Sequence, residues 1–485
     1  MKFLGSFKQK IKKFKYFRLI TGFILTDVVL LMMILGIAWY NKPVCDKCNV
    51  ILVSLDTLSA LHLSCYGYEK NTAPNLCAFA DKNILFSNSY SQSSNTLESH
   101  FSIFTSLYPH THKMTKIFAD SLNENNLTLA QLFKLNGYQT IYYGPINDSH
   151  LPLDRGVERG FNIINESNDM GNWGKAYLEL IKNAEQKKSV FLFLHTYSVH
   201  DTYLTGHKSK HLFTDLPEFS HIPLAEDKFN KFSPEFLSFA INFIPKQDFG
   251  SDEKNSLARQ IVEKLKQAKN IQEAETTFWT LPDIATNIFF LFWISKIDTK
   301  DPKQIEYMRA LYDEQIYNMD KKLGDLFNLM NDPRLLKNTI LIITADHGEE
   351  FMEHGYILHS SNLYRTSTQV PLIIHIPGVK QKKIKEMVQG IDIYPTAISL
   401  TGIAPRSFLE GIDLSDLIMG RKNARTNKYL RSEWGDQVGI QYQNWRFYYG
   451  ERPSELYNLE TDPQEKNNVI SLYPEKVSQF LKLLP

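Results

Sequence analysis

Charge imbalance is the first thing this chain of 485 residues lacks: 54 Lys and Arg stand against 53 Asp and Glu, a net +1. Such a balance provides no basic field for a polyanion, so nothing in it points to nucleic acid as a partner. Cysteine is scarce as well, with four in the chain, Cys45, Cys48, Cys65 and Cys77, all near its start. No second CxxC and no HxxxH pair follows Cys45-Asp46-Lys47-Cys48, which weakens a zinc reading. Its position ahead of the first apolar strand argues against thioredoxin-like redox chemistry. The even count permits disulfides in an oxidising compartment, where a Cys45–Cys48 bond would cap a short stalk. Internal repeats and low-complexity segments are missing too, which excludes a repeat architecture.

Acids are absent from residues 1–18, which carry Lys2, Lys8, Lys10, Lys12, Lys13, Lys15 and Arg18. An apolar run of about 22 residues follows at 19–40, broken only by Asp27, and as a helix it would reach roughly 33 Å, enough to cross a bilayer. It ends in Trp39-Tyr40, an interfacial pair, not in the small residues of a cleavage site, and no lipobox leads into Cys45. The expectation is an uncleaved signal anchor, with the basic end cytoplasmic and everything after residue 40 on the other side; a cleaved signal peptide is the competitor. Asp27 either marks a helix partner or is tolerated near the cytoplasmic end. Residues 41–48 form the stalk.

About 445 residues remain, enough for one large catalytic domain and a smaller appendage. Short apolar, β-branched runs at 50–55, 140–143, 190–195, 339–344 and 371–376 have the character of buried parallel strands. Helical patterns lie between them, at 127–135 and, most clearly, at 305–330, where Ile305, Met308, Leu311, Ile316, Met319, Leu323, Leu326 and Met330 recur mostly at spacings of three and four. Alternating strands and helices predict an α/β fold whose ligands gather at the carboxyl ends of the strands. The pattern weakens over 204–303, which includes the apolar run 288–294; seven residues cannot span a bilayer, so this run is a core helix or a surface resting on the membrane. From 427 to 485, Trp434, Trp445, Phe447, Tyr448 and Tyr449 predict a small antiparallel sheet, then a last helix from Pro474.

Asp56 ends one strand, in Leu55-Asp56-Thr57, and Asp346-His347 lies just past another. With a hydroxyl-rich loop between them, these two strand ends predict a divalent metal site. Further motifs sharpen this. Thr96-Leu97-Glu98-Ser99-His100, Thr105-Ser106-Leu107-Tyr108-Pro109-His110, Asp346-His347-Gly348-Glu349-Glu350 with Glu353-His354-Gly355, and Glu455-Leu456-Tyr457-Asn458-Leu459 occur in order. Together with Ser64-Cys65-Tyr66-Gly67-Tyr68 they resemble the sulfatase branch of the alkaline phosphatase superfamily over nearly all of residues 49–426 and into the C-terminal part.

That resemblance implies a mostly parallel sheet sandwiched by helices. It implies one divalent metal, zinc, manganese or calcium, on Asp56, Asp346 and His347, with the Thr96 hydroxyl completing the set. His200 and His359 match histidines that contact the ester or its leaving group. The chain departs from the pattern where sulfate chemistry is specified. Thr96 replaces the cysteine that becomes formylglycine, Glu98 replaces a proline and His100 an arginine; His100 stays a candidate donor to the ester's oxygens. Ser59 and Leu61 stand at an arginine and a second aspartate. A threonine cannot become formylglycine, and a sulfated threonine has no carbonyl to collapse to. A phosphorylated threonine is released by attack at phosphorus, as in the phosphoethanolamine and phosphoglycerol transferases of the superfamily. The expectation is therefore a membrane-anchored enzyme of phosphoesters, acting on envelope lipid or glycan. The alternatives are a sulfuric-ester hydrolase without formylglycine and an inactive, sulfatase-like binding protein.

Overall fold

The computed structural model describes residues 44–115, 121–146, 150–167, 170, 173–186, 188–200, 203, 212–219, 232–247, 252–280, 288, 291–292 and 294–484. The basic segment 1–18, the anchor 19–40 and the first residues of the stalk lie outside them. Among the described residues, no helix is long and apolar enough to cross a membrane.

The strands are β1 (Asn49–Leu55), β2 (Ile84–Tyr90), β3 (Gln139–Gly144), β4 (Ile163–Glu166), β5 (Val190–Thr196), β6 (Thr339–Thr344), β7 (Glu350–Phe351), β8 (Ile357–Leu358), β9 (Leu372–His375), β10 (Lys382–Gln389), and β11 to β14 (Leu430–Trp434, Gln437–Tyr442, Trp445–Tyr449, Glu455–Asn458). Eight of the described strands form one sheet in the order β10-β2-β9-β6-β1-β5-β3-β4. All its pairings are parallel except those of β9 with β2 and β6. The run predicted at 371–376 is thus a strand, but an antiparallel one. The predicted β1, β3, β5 and β6 sit side by side at the centre. Strands β2, β4 and β10 carried weaker signals: β10 interrupts its apolar residues with Lys and Glu and shifts register between Ile384 and Met387, as suits a sheet edge.

Side chains alternate between two apolar layers. Ile51, Val53, Leu192, Leu194, Leu341 and Ile343 face a layer that contains the long helix Pro302–Met330. Val50, Leu52, Phe191, Phe193, Ile340 and Ile342 face the other, with the helices Thr96–Thr105 and Ile393–Leu400. This period of two, with both faces buried, is why these strands read as continuous apolar runs in the sequence.

The 204–303 insertion contributes the helices Pro234–Phe243, Asp252–Gln267 and Ile271–Phe278 around a separate cluster of Phe236, Phe278, Ile288 and Phe292. Ile288 and Phe292 are buried there, whereas Leu291 is 40% exposed. The C-terminal strands form the expected antiparallel sheet, β11-β12-β13-β14, and the last helix, Pro474–Leu481, stacks Phe480 on Phe447. Both disulfides, Cys45–Cys48 and Cys65–Cys77, are formed.

Candidate active site

Strands β1 and β6 are neighbours in register, Ser54 opposite Thr344, so their carboxyl ends deliver Asp56 and Asp346-His347 to one spot. Asp56, Asp346 and His347 are fully buried, and one ligand atom from each lies within 4.8 Å of the others. Backbone N–H groups of Thr57 (3.1 Å) and His347 (2.9 Å) donate to Asp346 Oδ1. Its Oδ2 is buried and accepts no hydrogen bond. A buried carboxylate oxygen left so is costly without a cation.

The imidazole of His347 is prepared for the same role. Its Nδ1–H donates to the Gly348 carbonyl at 3.0 Å, which leaves the Nε2 lone pair toward Asp346 Oδ2 (3.4 Å) and Asp56 Oδ1 (4.0 Å). Burial pushes its pKa down to about 4, so the ring is neutral at physiological pH. For Asp346, burial opposes ionisation, yet the adjacent His347 and His100 rings hold the carboxyl well below the ordinary range. Two carboxylates and one neutral imidazole are a fitting donor set for a divalent cation.

Strain accompanies the metal-binding strand end. Thr57, a β-branched residue, has φ 57° in the left-handed region. The Tyr312 hydroxyl donates to its carbonyl at 2.6 Å and accepts from the Ser59 N–H at 2.9 Å, which holds the turn open. Gly348 is required for close packing: a Cβ there would meet the Thr366 carbonyl at 2.2 Å.

Thr96 is the first residue of the buried helix Thr96–Thr105, capped by Asn95, whose side chain accepts from Leu97 N–H at 3.0 Å. Its hydroxyl lies 3.3 Å from His347 Nε2. The helix N-terminus stabilises negative charge there. The preceding loop is held from several sides. Ser99 and Ser91 hydroxyls donate to the Ser93 carbonyl, and Ser360 N–H donates to the Ser94 carbonyl. From the C-terminal sheet, the Ser432 hydroxyl reaches the Ser91 carbonyl at 2.6 Å.

His359 and His200 come to the same place from opposite sides. The turn after β5 carries His200, its ring 4.8 Å from that of His359, which in turn lies 4.6 Å from His347. His359 is flanked by Leu358 and Ser360, both at positive φ, and its Nδ1 is 3.1 Å from Glu349 Oε1. His100 takes a different position. It is buried beneath the helix start, with Nδ1–H on the Thr96 carbonyl (2.8 Å), Nε2 against the Ser54 hydroxyl (2.9 Å) and Asp346 Oδ2 at 3.6 Å. His110, His112 and His354 are tied into the surrounding structure by Glu433, Ser102 and Glu350 respectively.

Three residues at the site were not singled out from the sequence. His195 Nε2–H donates to Asp56 Oδ2 at 3.1 Å, and it is the penultimate residue of β5, opposite Ser54 of β1, so strand parity alone could have found it. Glu349 supports His359 and also accepts from the Tyr203 hydroxyl at 2.5 Å. His150, whose ring is 5.4 Å from that of His200, stands in a loop with no periodic signal.

Comparison with known proteins agrees with this geometry. The C-terminal profile of N-sulphoglucosamine sulphohydrolase matches residues 352–482. Arylsulfatase K of Gallus gallus is 31% identical over 199 residues, 38% of this chain and 37% of that protein, so the match spans little more than a third of either. Delta 4,5-hexuronate-2-O-sulfatase of Bacteroides thetaiotaomicron is 22% identical over 466 residues, 87% of this chain and 85% of the relative. In fold, the phosphonate monoester hydrolase of Agrobacterium radiobacter superposes with a TM-score of 0.62 at 16% identity, over 90% of this chain and 94% of the other. The Sulfatase family profile matches residues 48–403, and the chain belongs to the sulfatase family.

Proposed function

We propose that this protein is a metal-dependent enzyme of phosphoesters, with Thr96 as its nucleophile. The observation that carries the proposal is the Thr96 hydroxyl, 3.3 Å from His347 Nε2 at the start of a buried helix, where family members that cleave sulfate esters through formylglycine need a cysteine. A divalent cation on Asp56, Asp346 and His347 supplies Lewis acidity to the ester and to the hydroxyl beside it.

The chain's own residues account for the remainder. The Thr96 hydroxyl passes its proton to the His200–His359 pair as its oxygen forms the bond to phosphorus, and the helix start favours the developing negative charge. The ester P–O bond breaks, and the His200–His359 pair returns a proton to the departing alcohol, with Glu349 orienting His359. Water, or a second alcohol, then attacks phosphorus, the bond to Thr96 breaks, and the hydroxyl is restored. Hydrolysis and transfer differ only in that second acceptor. His100 acts from beneath: it fixes the Thr96 carbonyl and keeps Asp346 ionised.

The anchor at 19–40 places this chemistry beside a membrane, on the non-cytoplasmic side, and two disulfides support an oxidising compartment. Phospholipid headgroups and envelope glycans are the substrates within reach. A second reading, hydrolysis of sulfuric esters, draws on the hexuronate sulfatase relative that spans 87% of this chain.

Intact-protein mass with peptide mapping decides between them. The purified chain, supplied with metal and total membrane lipid, is expected to gain a phospho-type adduct on Thr96 that the Thr96→Ala variant lacks. Aryl sulfate turnover without any adduct would establish the sulfuric-ester reading. No adduct, no bound metal and no turnover would leave a binding protein.

A further inference from the structure

A cavity of about 360 Å³ opens next to the metal centre, between the turn after β1, the β7–β8 hairpin, the long helix and the loop at 463–466. Glu349 lines it and also holds His359, so one side chain separates this space from the reacting groups.

Its lining carboxylates, Glu349, Glu353 and Glu465, and its cations, Arg309, Arg365 and Lys466, do not all pair off with one another. Each lining carboxylate is already engaged. Glu349 accepts from Tyr203, Glu353 from Arg309 at 2.9 Å, and Glu465 from the Arg365 backbone N–H at 2.9 Å and the Tyr448 hydroxyl at 2.7 Å. Two lining cations meet only neutral oxygens. The Arg365 guanidinium donates to Gln369 Oε1 (3.1 and 2.8 Å) and to the Pro463 carbonyl, and Lys466 Nζ donates to the Glu353 carbonyl at 2.7 Å. Of the five N–H donors of a guanidinium, three are used here and two remain; of the three on the ammonium, two remain. A planar fork and a point charge on one wall, with spare donors and no anion, match a tetrahedral or carboxylate oxyanion.

We propose that this cavity binds a second anionic substituent of the substrate, so that the enzyme selects esters carrying another phosphate, sulfate or carboxylate on the same molecule. This selection rests on the ester-cleaving role of the metal centre; the anion site itself does not.

Calorimetry on full-length, metal-loaded Thr96→Ala protein tests it, with glucose 1,6-bisphosphate, glucose 6-phosphate and inorganic phosphate as probes. The bisphosphate is expected to bind at least tenfold more tightly than the monophosphate, and Arg365→Gln/Lys466→Gln to erase that difference while monophosphate affinity holds. Lys466 is exposed, so Lys466→Gln alone, with a severalfold smaller difference expected, serves if the double variant does not fold. Equal affinity for the two sugars in the parent, or a preference that survives both substitutions, overturns the proposal. A second inorganic phosphate that vanishes with the substitutions, without any bisphosphate preference, overturns the shared-molecule part and leaves an independent anion site. If Asp346→Ala leaves monophosphate binding unchanged while the Arg365- and Lys466-dependent binding persists, the metal-centre reading fails and the anion site stands.

Discussion

Asp346 carries the metal site in the most direct sense, because its Oδ1 is held by two backbone N–H groups and its Oδ2 is left for a cation. Asp346→Ala is expected to lower bound metal from about one ion per chain to near none and activity by about 10³-fold or more; elemental analysis of the purified variant checks the first, and unchanged metal content would remove the site. Thr96→Ser keeps a hydroxyl at the helix start, so turnover within about tenfold of the parent is expected, whereas Thr96→Ala abolishes it. A buried histidine sets a pH limit. His112 accepts from Met114 N–H at Nδ1 (2.9 Å) and donates from Nε2 toward the Glu98 carbonyl, and burial pushes its pKa down to about 3. The unfolded chain therefore binds this proton first as pH falls below about 6.5, and stability is lost at up to about 1.4 kcal/mol per pH unit until pH reaches the folded value. Urea unfolding between pH 7 and 5 is expected to show a shallower slope for His112→Asn than for the parent.

At the scale of elements, the sequence disclosed β1, β3, β5, β6 and the long helix, because each is buried with a clear period. It concealed β2, β4 and β10, whose burial is partial or one-sided. The β7–β8 hairpin shows how elements are fastened together. His354 extends from it, bonded to Glu350 Oε1 (3.0 Å) and the Gln464 carbonyl (3.0 Å), and stacks on Tyr364 at 3.8 Å. Burial pushes its pKa down, but the Glu350 carboxylate outweighs this and raises it. The folded state thus retains a proton that the unfolded chain loses, so this contribution is complete below about pH 6.5 and is lost as pH rises through the folded value. His354→Gln should lower Tm by more at pH 6 than at pH 9, and an equal decrease at both would show that the ring acts without its charge.

Across the whole molecule, the doubly covered sheet, the C-terminal sheet and the helical insertion each have their own apolar cluster. The C-terminal sheet does more than cover an edge, since it holds the loop before Thr96 through Ser432 and Glu433. A chain beginning at Val44 is expected to remain in the aqueous phase with its metal, whereas the full chain partitions with detergent. Phase separation followed by immunoblotting measures this, and a full chain that stays aqueous removes the anchor.

The sequence by itself determined the α/β class, the strand ends bearing Asp56, Asp346 and His347, and the family, because these follow from local periodicity and from contiguous motifs. Tertiary structure alone decided which lone side chains meet. His195 and His150 lie far from both Asp56 and His347 in the chain and reach the site only through strand register and loop path, and although Glu349 is two residues from His347, only the fold sets it against His359. The same holds for Arg365 and Lys466: whether a cation has an anion opposite it depends on folded distances, which the sequence does not carry.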